Sequence, residues 1–383
     1  MRMILFISIF LTIYGGLHGY ALLKFEHVLP IKGVYTIPAG LFLSVMVLCP
    51  ILIRVLESAE FERTARFLAY TGYTWMGFVF LFCSISLVFD IARWAGRLYA
   101  FIFQKDGVFS IPSPATAGTV AMALALMITL YALFEAKHIR TEHIVIPVPK
   151  IHGSTERIRI AQISDVHLGL IVREKRLKKI LDAVTAQQPD VLVSTGDLLD
   201  GQLNDMSGVA AMLQDVRPRY GKYAVTGNHE YYAGLSRCLE FTRNAGFTVL
   251  RNRAEKISDS LYIAGVDDSG RHHVTPDDRK VNTDFLSRLP EDAFTVLLKH
   301  QPRTASPEAS HIDLQLSGHT HKGQIFPFTL LVRLFYPYDA GLYEFDDGHR
   351  LYTSRGSGTW GPPMRFLAPP EVTIIDLHFR GRS

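Results

Sequence analysis

Apolar residues gather in four long runs in the first third of the chain, and further on they give way to short β-branched runs separated by polar, helical stretches. The four runs, 3–23, 37–56, 67–89 and 115–134, each approach the ~20 residues that a helix needs to cross a ~30 Å hydrocarbon layer. They predict four transmembrane helices. The first has a second reading as a cleaved leader, because Arg2 precedes it, but it is long and has no small-x-small cleavage signature. After the third run, Asp90 to Phe103 sets Arg93 and Arg97 among Trp94, Leu98, Tyr99, Phe101 and Phe103. That stretch reads either as an interfacial amphipathic helix or as an extension of the third span.

Residues 137–156 are polar and carry Pro147 and Pro149, and are expected as a linker. Beyond them, Arg157 to Ile163, Val191 to Ser194, Tyr223 to Val225, Phe294 to Leu298 and Ile312 to Leu316 read as strands, with helices such as Arg173 to Gln187 between them. The alternation predicts an α/β domain over 157–383. Each strand runs into groups that can bind metal: Asp165 and His167, then Asp197, then Asn228 and His229, then His300, and last His319 and His321. In open α/β sheets ligands collect beyond the carboxyl ends of the strands, so five separated segments can converge. The donors are all nitrogen and oxygen, a set that suits Mn, Fe, Zn or Co better than a structural zinc site built on Cys. Seven ligands are too many for one ion and the right number for two ions that share a carboxylate. Glycines precede Asp197, Asn228 and His319, where tight turns aim these side chains. His18, His27, His138, His152 and His349 stand alone and read as surface or spacer residues.

The length of 383 residues suits two or three domains. Of the first 136 residues 16 are charged, against 60 of the remaining 247, so the chain has two chemically different halves. With 40 Lys and Arg against 36 Asp and Glu, the excess of +4 gives no reason to expect nucleic acid as a partner. Cys49, Cys83 and Cys238 are too few and too scattered for a disulfide framework or a thiolate metal cluster. No Asp, Glu, Lys or His sits mid-span in a way that marks an ion pathway, so the first half reads as an anchor or lipid-facing platform. An even number of spans puts both ends on one side. Arg2, Arg54, Arg63, Arg66, Lys137 and Arg140, against Lys24, Lys32, Arg93, Arg97 and Lys105, favour the cytoplasm for it. The expectation is an integral protein of the inner or plasma membrane with its catalytic domain in the cytoplasm.

The series Asp165-Val-His167, Gly196-Asp197, Gly227-Asn228-His229-Glu230, His300 and Gly318-His319-Thr320-His321 resembles the calcineurin-like metallophosphoesterase superfamily over about residues 157–378. Ser164-Asp-Val-His-Leu-Gly169, Gly196-Asp-Leu-Leu-Asp-Gly201, His300-Gln-Pro302 and Arg355-Gly-Ser-Gly-Thr-Trp-Gly-Pro-Pro363 are similar to its bacterial membrane-associated branch of YkuE-type phosphoesterases. Lys322 stands where that branch often has Gly. The resemblance implies a calcineurin-like domain of β-sheets flanked by helices. It implies one divalent metal ion on Asp165, His167, Asp197 and His321, and a second on Asp197, Asn228, His300 and His319. His229 is implied as the non-ligating histidine that assists the leaving group.

The function expected is a membrane-anchored, binuclear metal-dependent phosphoesterase acting on a phosphoester or pyrophosphate, lipid-linked or close to the membrane. Alternatives are a phosphodiesterase for a soluble nucleotide-type substrate and a membrane scaffold that keeps the fold. Asp267 and Asp268, after the strand Leu261 to Val266, read as turn caps or as partners of a ligand histidine. Tyr231 and Tyr232 either line the cleft or pack. Arg173, Lys175, Arg176, Lys178 and Lys179 make a solvated helix face or a headgroup contact. The apolar segment from Phe326 to Tyr336 is either core or an exposed lip beside the metals.

Overall fold

The computed structural model describes residues 2–29, 33–104, 112–148, 157–201, 206–268, 284–303 and 312–379, the side chains of 2–4 and 6 excepted. The chain divides into two compact units, Met1–Phe134 with Gly361–Met364, and Glu135–Trp360 with Arg365–Ser383.

The first unit is helical: α1 (Arg2–Phe25), α2 (Thr36–Ser58), α3 (Glu62–Phe103) and α4 (Pro114–Glu135). Among the described residues three helices are long and apolar enough to cross a membrane: Gly33–Ser58, which includes α2, then α3 and α4. This corrects the expected four. The stretch at 3–23 does form helix α1, 24 residues long, in whose second half Gly15, Gly16, His18, Gly19 and Lys24 lower the apolar content. α3 runs unbroken for 42 residues, about 63 Å at the helical rise, so Asp90 to Phe103 extends the third span. His18, expected at the surface, is buried, with Trp75 Nε1 donating to its Nε2 at 2.9 Å.

The second unit opens with β1 (Arg140–Val148), β2 (Arg157–Ile163), α5 (Glu174–Thr185), β3 (Val191–Ser194), α6 (Ser207–Gln214) and β4 (Lys222–Ala224). It continues with α7 (Asn228–Ala233), α8 (Leu235–Asn244), β5 (Thr248–Val249), β6 (Arg253–Ser258), β7 (Leu261–Gly265) and β8 (Phe294–Leu298). β9 (Leu314–Ser317), α9 (Phe328–Phe335), β10 (Gly341–Glu344), β11 (Arg350–Thr353) and β12 (Glu371–Phe379) complete it.

The strands form two six-stranded sheets, ordered β1-β12-β2-β3-β4-β5 and β10-β11-β9-β8-β7-β6. Ile158, Ile160, Val191 and Val193 of the first meet Ile263, Val296, Leu298 and Leu316 of the second in one dry core. A second core lies on the other face of the first sheet, under α5, α6 and α8. On α5, Leu177, Ile180, Leu181 and Val184 recur at helical spacing and are buried. Each such side chain contributes on the order of 1.5–3 kcal/mol. Lys175, Lys178 and Lys179 face outward, and Lys178 pairs with Asp182 at 2.8 Å.

The stretch expected as a linker holds β1, paired in parallel along its length with β12. Alternating Ile144, Ile146 and Val148 explain it, and Pro147 is tolerated because β1 is an edge strand. Residues 149–156 of that stretch, His152 included, lie outside the described residues. The segment expected as core or lip is α9 and its flanks, and it is exposed: Leu334 is 76% and Phe335 74% accessible, and only Thr329 of the helix is buried. The space between the sheets is already filled by strand residues, which leaves this helix on the surface.

Candidate metal centre

Both sheets deliver side chains from the carboxyl ends of parallel strands. β2, β3 and β4 of one sheet lead into Asp165 and His167, Asp197, and Asn228, while β8 and β9 of the other lead into His300 and into His319 and His321. The structure therefore brings together all seven residues singled out as ligands, though from two sheets. Asp165, His167, Asp197, His300 and His321 are buried.

The backbone is bent to aim them. Asp165, His167, Asp197, His319 and His321 all have positive φ, between 48° and 72°, a left-handed conformation that costs a residue with a Cβ about 1–2 kcal/mol. Lys322 shares it, at φ 51°, which explains why glycine suits that position, and the loop keeps its form with lysine there. Gly196 has φ 94°. Gly318 is needed for space, since a Cβ there would collide with Ser164 Oγ and Asp165 Oδ2.

Hydrogen bonds then fix the donors. His300 Nδ1 lies 2.8 Å from Thr195 O and must donate to it, which leaves Nε2 free to face Asn228 Oδ1 at 3.2 Å and Asp197 Oδ2 at 3.1 Å. His319 turns Nδ1 to His300 Nε2 at 3.2 Å, while its Nε2 meets the Tyr336 hydroxyl at 2.9 Å. His321 Nε2 lies 3.1 Å from His167 Nε2 and 3.5 Å from Asp165 Oδ1, and Arg365 Nη2 lies 3.0 Å from its Nδ1. The Asp165 carboxylate accepts from His319 N at 3.0 Å and from Ser164 Oγ at 2.5 Å. Glu230 gathers the amides of Asp197, Leu199 and Gly227, at 3.1, 3.1 and 2.7 Å, and so ties two ligand loops together.

The donor spacing fits metal ions. Bonds of ~2.0–2.2 Å to N and O ligands separate neighbouring donor atoms on one ion by about 3.0–3.5 Å, the range seen for five of these contacts. Three clusters have donor atoms all within 4.8 Å of one another: Asp165, His167 and His321; His167, Asp197 and His229; and Asp197, His300 and His319. His229 thus also stands within reach of a metal position, with Nε2 4.0 Å from Asp197 Oδ2. Burial lowers the basicity of His167 and His319, each to about 3, so both are neutral donors. Burial would raise Asp197, but His300 and His229 outweigh it and hold the carboxylate well below its usual range.

His229 has a carboxylate behind it. Its Nδ1 lies 3.1 Å from Asp200 Oδ1. Burial opposes the charged imidazole, yet Asp197 and Asp200 together lift it to about 9. Asp200 was not singled out by sequence, although it sits in the Gly196 to Gly201 motif, and neither were Tyr336 and Arg365. Arg365 is fully buried behind His321 and donates to the carbonyls of Gly358 and Arg355 at 2.6 and 2.7 Å. Asp267 pairs with Arg251 at 2.8 Å instead of with a ligand. Asp268 accepts from Gln301 at 2.9 Å, and Gln301 accepts from Tyr336 at 3.3 Å, so it reaches His319 only through two intermediaries.

Paired α/β sheets with strand-end Asp, Asn and His clusters define a metal-dependent hydrolase. A family model described as calcineurin-like phosphoesterase matches residues 158–323. An uncharacterized metallophosphoesterase of Aquifex aeolicus is 41% identical over 266 residues, covering 68% of this chain and all of that one. A transmembrane protein with metallophosphoesterase domain from Danio rerio is 30% identical over 82% of this chain and 75% of its own length. The metallophosphoesterase YkuE of Bacillus subtilis is 32% identical over 64% of this chain and 88% of its own. The chain belongs to the calcineurin-like phosphoesterase family, and it is a phosphoester hydrolase.

Proposed function

We propose that this chain is a membrane-anchored phosphoesterase with a binuclear metal centre, and that its substrate is a phosphoester or pyrophosphate that is lipid-linked or held close to a membrane. The observation that carries the binuclear reading is the position of Asp197, whose carboxylate belongs to two of the three donor clusters. Asp165, His167, Asp197 and His321 would hold one ion, and Asp197, Asn228, His300 and His319 the other. The ions are divalent, with Mn, Fe or Zn all compatible with these donors. When bound, they supply a lowered pKa for an attacking water and positive charge for the phosphoryl oxygens.

The protein's own residues do the rest. The Asp200 carboxylate accepts the Nδ1 proton of His229, so that Nε2 carries the proton offered to the departing oxygen. As the P–O bond breaks, that proton passes to the alkoxide. Asp197 and Asp200 favour the charged form of His229 over the effect of burial. The lipid reading is supported by α9, whose exposed Leu and Phe side chains lead directly into Tyr336, the partner of His319. The cytoplasmic placement of this unit rests on the six-to-five excess of basic residues at the span ends, a count that applies when α1 crosses the membrane as well.

The test is to purify the full chain in detergent, load it with Mn, Fe or Zn, and assay phospholipid, lipid-pyrophosphate and nucleotide substrates. Preferred turnover of a lipid substrate supports the proposal. Preference for a soluble nucleotide, undiminished when residues 1–136 are deleted, would replace it. His229→Ala should lose ~10²-fold or more on alkyl esters and less on nitrophenyl esters, whose leaving groups need less protonation.

A further inference from the structure

Two aromatic side chains border the buried imidazole of His229 and are themselves open to solvent. Tyr232, 55% accessible, meets it edge to face with ring centroids 5.5 Å apart, and Trp360, 52% accessible, does so at 5.6 Å. Single exposed aromatics are ordinary on a protein surface. Two on the same proton donor are placed there by separate devices. Tyr232 follows His229 by three positions on α7, so the two side chains share a face. Trp360 comes from the segment after β11 and is clamped by Gln324, whose Oε1 accepts from Trp360 N and whose Nε2 donates to Trp360 O, both at 2.9 Å. Gln324 is itself buried, and its backbone is drawn into the left-handed region, at φ 57°. The backbone of Trp360 is therefore held in place, with its indole half exposed.

We propose that Tyr232 and Trp360 form the leaving-group subsite, and that it takes an apolar alcohol bearing a ring or an alkyl chain. The inference rests on the reading of His229 as proton donor. An oxygen that takes a proton from His229 Nε2 must lie within hydrogen-bond reach of it, and the carbon attached to that oxygen then extends past the imidazole, where these rings stand. Aromatic faces favour C–H and ring surfaces and offer little to a second phosphate. The subsite thus selects on the alcohol side of the ester, while the metal cluster holds the phosphoryl group, and in hydrolysis the alcohol departs carrying the proton from His229.

Two phosphonates that cannot be hydrolysed, benzylphosphonate and methylphosphonate, separate the subsite from the phosphate site. Their affinities are measured by calorimetry on the full chain in detergent with manganese, for the wild type and for Trp360→Ala and Tyr232→Ala. The wild type is expected to bind benzylphosphonate about tenfold more tightly than methylphosphonate, the scale of one good aromatic contact. In either variant the ratio should fall towards one. Equal affinities in the wild type, or a ratio that survives in both variants, would overturn the subsite. Failure of both phosphonates to bind would instead remove the phosphoester reading on which it stands.

Discussion

His229 Nδ1 stands 3.1 Å from Asp200 Oδ1, so a carboxylate supports the charged imidazole from behind. A proton donor works only while charged, so activity should fall as pH rises through the pKa of His229, which Asp197 and Asp200 lift to about 9 against the effect of burial. Asp200→Asn keeps the size of the side chain and removes its charge. The charged imidazole loses support, its pKa drops, and the alkaline limb of the pH–rate profile should move to lower pH. A limb that stays in place in the variant would show that the limb belongs to another group.

Asp197 is the shared donor of two clusters, whereas Asp165 and His319 each belong to one. Asp197→Ala should therefore bind neither ion firmly, while Asp165→Ala or His319→Ala should mainly weaken one. Metal analysis of the purified variants decides this. Two equivalents retained by Asp197→Ala would sink the bridging assignment.

The Tyr336 hydroxyl holds His319 Nε2 at 2.9 Å and donates to Gln301 Oε1 at 3.3 Å. Removing that hydroxyl frees the imidazole to rotate away from His300 and Asp197. Tyr336→Phe should lower the affinity for one metal ion by ~10–100-fold, the usual cost of losing a partner behind a ligand, with the melting temperature little changed. Titration of the metal-free protein with manganese checks it, and unaltered affinity would leave Tyr336 as a packing residue.

The legible part of this protein is the part where local sequence and position in space coincide. Asp165, Asp197 and His300 each follow a short strand rich in β-branched residues or leucine and could be placed at strand ends from sequence, even though β4 and β9 are displaced by a residue or two from their expected bounds. What escaped depends on pairings remote in sequence. β1 is a strand because β12, more than 200 residues on, pairs with it. The division into two sheets is invisible in a run of strands that each look alike. Arg365 and Tyr336 reach His321 and His319 across turns that carry no pattern of their own.

The apolar run after the last ligands could be core or lip by sequence, and its exposure argues for the lip. Leu331 is 50% and Phe335 74% accessible, so replacing both with Ser removes little buried surface and should change stability by no more than ~0.5 kcal/mol per site, which a thermal melt would register as a shift of a few degrees at most. If α9 instead meets lipid, the same changes remove apolar area from that contact, at about 25 cal/mol per Å², and replace it with hydroxyls that prefer water. Turnover of a lipid phosphoester in vesicles should then fall well below the wild type, while a small water-soluble ester is cleaved at a rate close to it, because Tyr336 and His319 are untouched. Parallel loss of both activities with a lowered melting temperature would mean that the helix is structural after all. Retention of both would mean that lipid reaches the site by another face.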